Sequence, residues 1–295
     1  MVYIHSTSAI SVQAEQNELL PIAFPCPIVA PNYRDCISPA NMRRMGNAVK
    51  MGVWSALEAG AGKEEPIIVG SGMGCLKDSE KFLGSLRGAP DIVSPTPFIQ
   101  STHNTASGQI ALNLGNHNYN ITHVQNGISF EVALMDGMLW IQGGENAVLV
   151  GGVDEKTPLL TEIGEALGLS QKQLDEFSEG ATFAKISKEV SGCELLECEV
   201  FANREDAIAF ASGLNAEMML VGNSGPVAQE LPAFDGEIIN FNDYCGLHMS
   251  NSAFALHMAF LIITEKTPNL GRPVSICIFN QYLDRSFGVT YCRKH

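Results

Sequence analysis

Apolar residues are nearly continuous from Ile128 to Ile141, near the middle of the chain. Within this run only Glu131 and Asp136 carry charge. A helix that is apolar on almost every side belongs in a protein core or a subunit interface. Since the run is short and is interrupted by Gly137 as well as by charge, we do not expect it to span a membrane.

The residues on either side of this predicted helix form a strand–turn–helix unit. An extended segment, 118–124, leads into a sharp turn at Gln125, Asn126 and Gly127, and an apolar strand after the helix ends at 151–152. Enzymes often place a nucleophile at such a turn, because the helix N-terminus offers free N–H groups and the positive end of its dipole. Here the turn carries two amides where Cys or Ser is usual.

Short apolar runs alternate with amphipathic segments along the rest of the chain. The runs predict strands at 2–4, 66–70, 181–186, 198–201, 218–221, 238–241, 274–279 and 287–292. The amphipathic or apolar segments predict helices at 38–60, 78–86, 101–114, 204–213 and 247–263. This alternation indicates an α/β protein whose sheets are covered on both faces. A strand, helix and hairpin pattern occurs before Asp154 and again after it, which predicts a duplicated architecture.

Composition favours a protein with a large buried surface. Of the 295 residues 45% are hydrophobic and only 17% are charged, which also suits an oligomer that hides part of its exterior. The net charge of -14 speaks against nucleic acid and anionic membranes as partners. An acidic carrier protein could dock only where basic residues cluster, for instance at Arg43, Arg44 and Lys50.

The cysteine pattern gives no reason to expect a metal or a cofactor. The eight cysteines include no CxxC pair, and Cys193 and Cys198 lack a histidine at ligand spacing. No signal peptide is visible at the N-terminus, so we expect a cytoplasmic protein with reduced thiols. The glycine-rich residues 70–74 lack the GxGxxG spacing and predict a plain tight turn rather than a phosphate site.

Six segments, taken in order, resemble the β-ketoacyl synthase family of the thiolase superfamily. Residues 94–104 resemble the loop and helix before the nucleophile, 118–122 resembles the "GPNYSIT" run that leads into "TAC", and 144–154 resembles the strand with paired glycines. Residues 178–181 resemble "GEGA", 247–255 resembles "GHxxGAAGA", and the terminal hairpin stands where the family has "SFGFGG".

The resemblance implies a thiolase-like fold and an obligate dimer. The expected fold has two similar α/β halves in a layered α-β-α-β-α arrangement, shortened relative to typical family members. We assign an N-terminal half to residues 1–154 and a truncated C-terminal half to 155–295. Because the shortening falls mostly in the second half, it puts the usual acyl channel in doubt.

The resemblance also locates the catalytic positions. The family uses a Cys thiolate as nucleophile, and counting from Asn118 puts Gln125 at that position. Counting back from Gly151 gives Asn126 instead. We prefer Gln125, because the upstream match has no gap. Either residue is an amide, which cannot form the acyl-enzyme thioester.

Two histidines and a lysine complete the family's machinery. The first histidine position falls at or near Ser224, which does not titrate near neutral pH, and the lysine position falls at Asp243. The second histidine survives as His248. A histidine at a helix entry more commonly only bonds the backbone, so both readings of His248 stay open. Cys245 could stand in as a nucleophile, but a buried structural cysteine is the better interpretation.

These substitutions match the chain-length-factor subunits of the family, which carry Gln at the Cys position and pair with an active ketosynthase. Our first hypothesis is a non-condensing subunit of this kind, with an acyl carrier protein as a possible further partner, in polyketide, polyene or fatty-acid-type synthesis. The alternatives are a residual enzyme that decarboxylates malonyl-carrier protein, a divergent 3-oxoacyl-carrier-protein synthase, and a homodimeric acyl-binding scaffold.

Overall fold

A computed structural model describes residues 1–13, 18–88, 94–225 and 232–295. The strands are β1 Val2–Ile10, β2 Ile67–Gly70, β3 Asn120–His123, β4 Ala147–Asp154, β5 Gly180–Ser187, β6 Cys193–Phe201, β7 Met218–Asn223, β8 Glu237–Asn240, β9 Ser275–Tyr282 and β10 Ser286–Lys294. The α-helices are α1 Pro39–Met42, α2 Asn47–Glu58, α3 Leu76–Gly88, α4 Pro95–Gln100, α5 Thr105–Leu114, α6 Ser129–Gln142, α7 Pro158–Ala166, α8 Gln171–Asp175, α9 Arg204–Gly213, α10 Asn242–Cys245 and α11 Ser252–Ile263.

The ten strands form one sheet whose two halves repeat the same topology. The order is β3-β2-β4-β5-β1-β6-β10-β9-β7-β8. Read from the outer edge to the centre, each half places its own strands in the order third, second, fourth, fifth, first. In the first half β2 is parallel to β3 and β4, and β5 is antiparallel to β4 and β1. In the second half β7 is parallel to β8 and β9, and β10 is antiparallel to β9 and β6. The predicted duplication is therefore present in the strand order.

The two halves of the sheet enclose two central helices. The α6 helix packs on β2 and β4 and also on β6 and β10, while α11 packs on β1 and β5 and also on β7 and β9. The outer faces are covered by α2 and α5 on one side and by α9 on the other. Together these contacts give the layer order α-β-α-β-α. Every residue of α11 is buried, as its uninterrupted apolar sequence requires.

The halves differ where the second is shorter. In the first half, residues 71–119 connect β2 to β3 and contain three helices, whereas residues 224–236 make the equivalent connection between β7 and β8. The described part of that second connection contains no helix. The outer layer over the second half therefore has only α9 where the first half has α2 and α5.

We propose that the halves divide between β5 and β6. The strand β5 follows residue 154 in the chain, yet it completes the sheet of the first half. The division after residue 154 that is predicted from the sequence would separate β5 from β4 and β1, the two strands with which it pairs. The repeat of strand order favours a boundary between Ser187 and Cys193.

Several predicted elements differ from the structure for identifiable reasons. The helix predicted at 38–60 is split into α1 and α2 at Gly46, which also caps α2, although Ser38 and Pro39 start α1 as expected. The first strand extends to Ile10 because β5 pairs with it from Tyr3 to Ile10, which the polar residues of the strand do not reveal. The sequence pattern predicts only a polar connection at 154–168, but residues 158–166 form α7. Prolines at 90, 95 and 97 predict a loop over 90–98, but residues from Pro95 onward form α4, and residues 89–93 lie outside the described residues.

Across the described ranges, none of the helices combines the length and the hydropathy that a bilayer crossing requires.

Candidate functional site

The turn between β3 and α6 places Gln125 and Asn126 at the surface. Both side chains are exposed, and Asn126 has a φ of 53°, in the left-handed region that residues other than glycine seldom adopt. Ser129 fastens the turn, since its Oγ accepts a 2.8 Å hydrogen bond from the Gln125 N–H and donates to the Asn126 carbonyl at 2.6 Å. A left-handed residue at a strand–turn–helix junction is typical of functional turns. This geometry keeps Asn126 open as the alternative nucleophile position.

Gly127 allows the turn to lie directly on the second half of the protein. A Cβ at this position would lie 2.5 Å from the Cβ of Ser224 and 2.6 Å from the ring of Tyr282. Any side chain here would push the turn away from β7 and β9. Ser224, the predicted first histidine position, therefore lies against the same turn as Gln125, although about a hundred residues separate them in sequence.

Ser224 belongs to a buried network of polar side chains. Its Oγ lies 2.8 Å from Oδ1 of Asn251 and 3.0 Å from Oδ1 of Asn280, and Ser224 itself is almost fully buried. The Asn280 Nδ2 donates to the Gly127 carbonyl at 2.9 Å and to Oε1 of Glu131 at 2.7 Å. The network thus connects the turn, the central helix α6 and the hairpin strand β9. Buried networks of this kind fix one arrangement of the surrounding backbone.

Glu131 is the charged member of this network. It lies on α6, is 2% exposed, and its Oε2 has no hydrogen-bond partner among the described residues. Burial raises its pKa to about 7, although the hydrogen bond from Asn280 opposes the shift. Gly288 on β10 makes room for the side chain, because a Cβ there would lie 2.5 Å from Glu131 Cγ.

A cavity of about 440 Å³ lies beside Ser224 and includes His248 in its wall. Its other wall residues are mostly apolar, namely Met73, Leu160, Phe177, Leu247 and Met249. The packed surroundings lower the pKa of His248 to about 3, so the imidazole is neutral at pH 7. Gly180 lies close to the imidazole of His248, since a Cβ at position 180 would lie 3.1 Å from His248 Nε2. A neutral imidazole can donate or accept one hydrogen bond in this cavity, but it is a weak base.

The glycine-rich turn after β2 is held by a carboxylate of the protein itself. Asp154, at the end of β4, is 1% exposed and accepts hydrogen bonds from the Ser71 hydroxyl, the Gly72 N–H and the Met73 N–H at 2.7 to 3.2 Å. Burial raises the pKa of this carboxyl, and the hydrogen bonds oppose the shift. Because the Asp154 carboxylate already accepts from the N–H groups of Gly72 and Met73, the turn has a structural role, as the missing GxGxxG spacing predicts.

The structure brings Ser224 and His248 into one cavity, and it leaves Gln125 and Asn126 outside the cavity wall. The turn still approaches the cavity closely. A Cβ at Gly72 would lie 2.9 Å from the Asn126 carbonyl oxygen and 2.4 Å from the Cβ of Met249. Asp243, at the predicted lysine position, is exposed and does not contribute to the wall.

No described cysteine lines this cavity. Cys245, the possible substitute nucleophile, is fully buried, and its thiol donates to the carbonyls of Phe241 and Gly246. Burial raises the pKa of this thiol, with Asp243 adding to the shift. A buried, protonated thiol is a structural residue and not a nucleophile.

Sequence reasoning missed Glu131, Asn251 and Asn280 as members of the site. The signal for Glu131 was present, because one acid in an otherwise apolar helix must be buried with a partner. The two asparagines gave no comparable signal, since polar residues in strands and at helix entries are common on surfaces.

Residues 19–162 match the family model for the β-ketoacyl synthase N-terminal domain. Among solved structures, the ishigamide ketosynthase/chain length factor matches with a TM-score of 0.74 and 15% identity, over 99% of this chain and 99% of that chain. A second match is AntDE:AntF, with a TM-score of 0.73 and 14% identity, over 100% of this chain and 99% of that chain. That structure is a type II PKS acyl-carrier protein in complex with its ketosynthase bound to the hexaketide.

A β-ketoacyl synthase from Burkholderia phymatum STM815 matches with a TM-score of 0.72 and 11% identity, over 100% of this chain and 99% of that chain. No curated protein matches the chain significantly by sequence. These likenesses confirm the thiolase-like fold that the motifs predicted.

Proposed function

We propose that this chain is a non-condensing partner subunit of an active ketosynthase. It has the ketosynthase fold, and residues 19–162 match the model of the β-ketoacyl synthase N-terminal domain. Its role is that of a chain length factor, which shapes the acyl site of the complex without forming carbon–carbon bonds. The observation that carries this proposal is the turn before α6. It presents Gln125 and Asn126, and neither amide can accept an acyl group as a thioester.

The cavity supports a binding role better than a chemical one. His248 is the one histidine in its wall, and Ser224 stands where a second imidazole would be needed for proton and enolate chemistry. The largely apolar wall suits an acyl group. Decarboxylation of malonyl-carrier protein remains the second candidate, because a neutral His248 can still donate a hydrogen bond to a developing enolate. Release of carbon dioxide that is lost in Gln125→Ala would favour it.

The sheet edge at β3 is the surface we assign to the ketosynthase subunit. Among the described residues, β3 pairs with β2 alone and its other side is open. Beside it lie exposed apolar residues, of which Leu139 is 63% exposed and Val124 43%. Tyr119 joins this surface to α6, since its ring lies 4.6 Å from that of Trp140. An open strand bordered by apolar side chains is a ready surface for another subunit.

Association with a ketosynthase is the experiment that tests this assignment. The chain should be produced with a condensing ketosynthase subunit from the same gene cluster, and the mass of the purified species measured by light scattering. We expect a 1:1 heterodimer. A stable homodimer that does not exchange subunits with the ketosynthase would instead favour the homodimeric scaffold.

A carrier protein should bind near α1. Arg43 and Arg44 are exposed there and form no ion pair within the described chain, so they offer positive charge on a protein with a net charge of -14. We expect Arg43→Glu with Arg44→Glu to weaken binding of an acidic acyl carrier protein to the complex by about tenfold or more, with the wild-type affinity falling as salt is added. Calorimetry measures the effect, and Lys63→Glu, at an exposed lysine outside α1, is the control. Equal affinities for both variants would contradict carrier docking at α1.

A further inference from the structure

A second cavity, of about 790 Å³, lies on the outer side of the first half between α1, α4 and α5. It shares no wall residue with the cavity that contains His248. Its polar wall residues are one guanidinium and four carboxamides, from Asn41, Arg44, Gln100, Gln109 and Asn113. We call it the amide pocket. Of its wall residues, the proposed function uses only Arg44, which also belongs to the surface proposed for carrier docking.

The polar side chains of the amide pocket are not engaged with the rest of the protein. Within the described ranges, none of the five makes a side-chain hydrogen bond or an ion pair to another residue. Surface amides are often free in this way when they point to bulk water. Five that share one concave site are unusual, because they present a set of donors and acceptors at fixed positions.

Gln100 gives the strongest indication of a ligand. It is 9% exposed, and its Oε1 is buried without a hydrogen-bond partner in the described chain. Leaving a buried amide oxygen unsatisfied is unfavourable, and native proteins seldom do so without a water, an ion or a ligand in place. A ligand that reaches this oxygen has to bring an O–H or N–H group, because the oxygen can only accept a hydrogen bond.

Arg44 sets the charge of that partner. The guanidinium is exposed and binds no carboxylate in the described structure, and its planar fork fits a carboxylate or a phosphate with two hydrogen bonds. The carboxamides can each both donate and accept, which matches hydroxyl groups, since these also do both. The wall contains no aromatic ring on which a base could stack, and Leu112 and Met45 supply its apolar part.

We propose that the amide pocket binds a small hydroxylated oxyanion, such as a sugar phosphate or a sugar acid. The anionic group pairs with Arg44, a hydroxyl group donates to Oε1 of Gln100, and further hydroxyl groups bond the other amides. The pocket shares Arg44 with the proposed carrier-docking surface, but small-molecule binding to the isolated chain involves neither a ketosynthase nor a carrier protein. It stands or falls on binding by the isolated chain.

Calorimetric titration of the full chain tests the proposal with four probes: glucose 6-phosphate, gluconate, glucose and inorganic phosphate. We expect at least one of the two anionic sugars to bind more tightly than both glucose and phosphate. Arg44→Gln and Gln100→Leu should each weaken that binding by about tenfold or more. Arg34→Gln, an exposed arginine outside the pocket wall, is the control and should bind as the wild type does.

Gln100→Leu also carries a readout that does not depend on a ligand. Because the variant removes an unsatisfied buried oxygen, we expect the melting temperature of the ligand-free protein to stay the same or to rise by a few degrees. The proposal is overturned if neither anionic sugar binds, or if Arg44→Gln and Gln100→Leu bind like the wild type. Inorganic phosphate binding as tightly as glucose 6-phosphate would overturn the role given to the hydroxyl groups.

Discussion

As the pH rises from 4.5 to 8, ionisation of Glu131 is expected to lower the free energy of unfolding of the wild-type protein by about 3 kcal/mol. The variant Glu131→Gln is expected to lack this decrease. The carboxyl has its ordinary pKa of 4.5 when unfolded, whereas burial raises it to about 7 in the folded protein. The folded state therefore binds the proton more tightly than the unfolded state. Its contribution to stability is complete below pH 4.5 and is lost as the pH rises through 7.

Glutamine keeps the shape of the side chain and a carbonyl oxygen for Asn280, but it does not titrate. Other buried groups change the same pH profile, among them His248, whose lowered pKa makes stability rise with pH up to about 6.5. The difference between the wild type and Glu131→Gln isolates the effect of Glu131. Urea unfolding between pH 5 and 8.5 measures it, with Glu199→Gln on the exposed side of β6 as control. Parallel profiles for the wild type and Glu131→Gln would show that Glu131 is ionised in the folded protein.

Leu139→Asp is expected to weaken association with the ketosynthase subunit by about a hundredfold or more, because burying an unpaired charge in an interface costs several kcal/mol. Leu139 lies on α6 beside the open strand β3 and is 63% exposed in the single chain. A substitution at so exposed a position should leave the folded monomer intact, which circular dichroism would check. Val190→Asp is the matched control, because Val190 is also 63% exposed but lies between β5 and β6, away from the open edge.

Titration of the two subunits gives the affinities. If Leu139→Asp and Val190→Asp both assemble as the wild type does, the ketosynthase does not use the edge formed by β3 and α6. Loss of assembly in both variants would point to a general effect of added negative charge on a chain whose net charge is already -14.

The hydrophobic pattern was sufficient to predict the central layer of the fold. The run 252–263 has no polar face to present to solvent, and every one of its residues is buried. The run 129–142 is buried where α6 packs on the two halves of the sheet, and it leaves Leu139 exposed on the side that we assign to the partner subunit. The pattern failed where exposure does not follow polarity. Ile163 in α7 and Leu167 directly after it are exposed, whereas Ser8 in β1 is buried where it pairs with β5.

The candidate site could be predicted only in part, for a physical reason. Gln125, Ser224 and His248 follow from short motifs that keep their order along the chain. The hydrogen bond between Glu131 and Asn280 joins residues 149 positions apart, and it exists because α6 is enclosed by both halves of the sheet. Local sequence does not encode which buried polar groups will meet, since that depends on the packing of the finished fold.

This chain, with its amide turn before α6, should form no carbon–carbon bond by itself. An elongation assay with acyl and malonyl carrier proteins tests this on the isolated chain, on the complex with a ketosynthase, and on the complex whose ketosynthase has lost its nucleophilic cysteine. We predict elongated product from the intact complex alone, with no acyl group attached to this chain by mass spectrometry. Elongated product from the isolated chain, or an acyl adduct on one of its own side chains, would contradict the account.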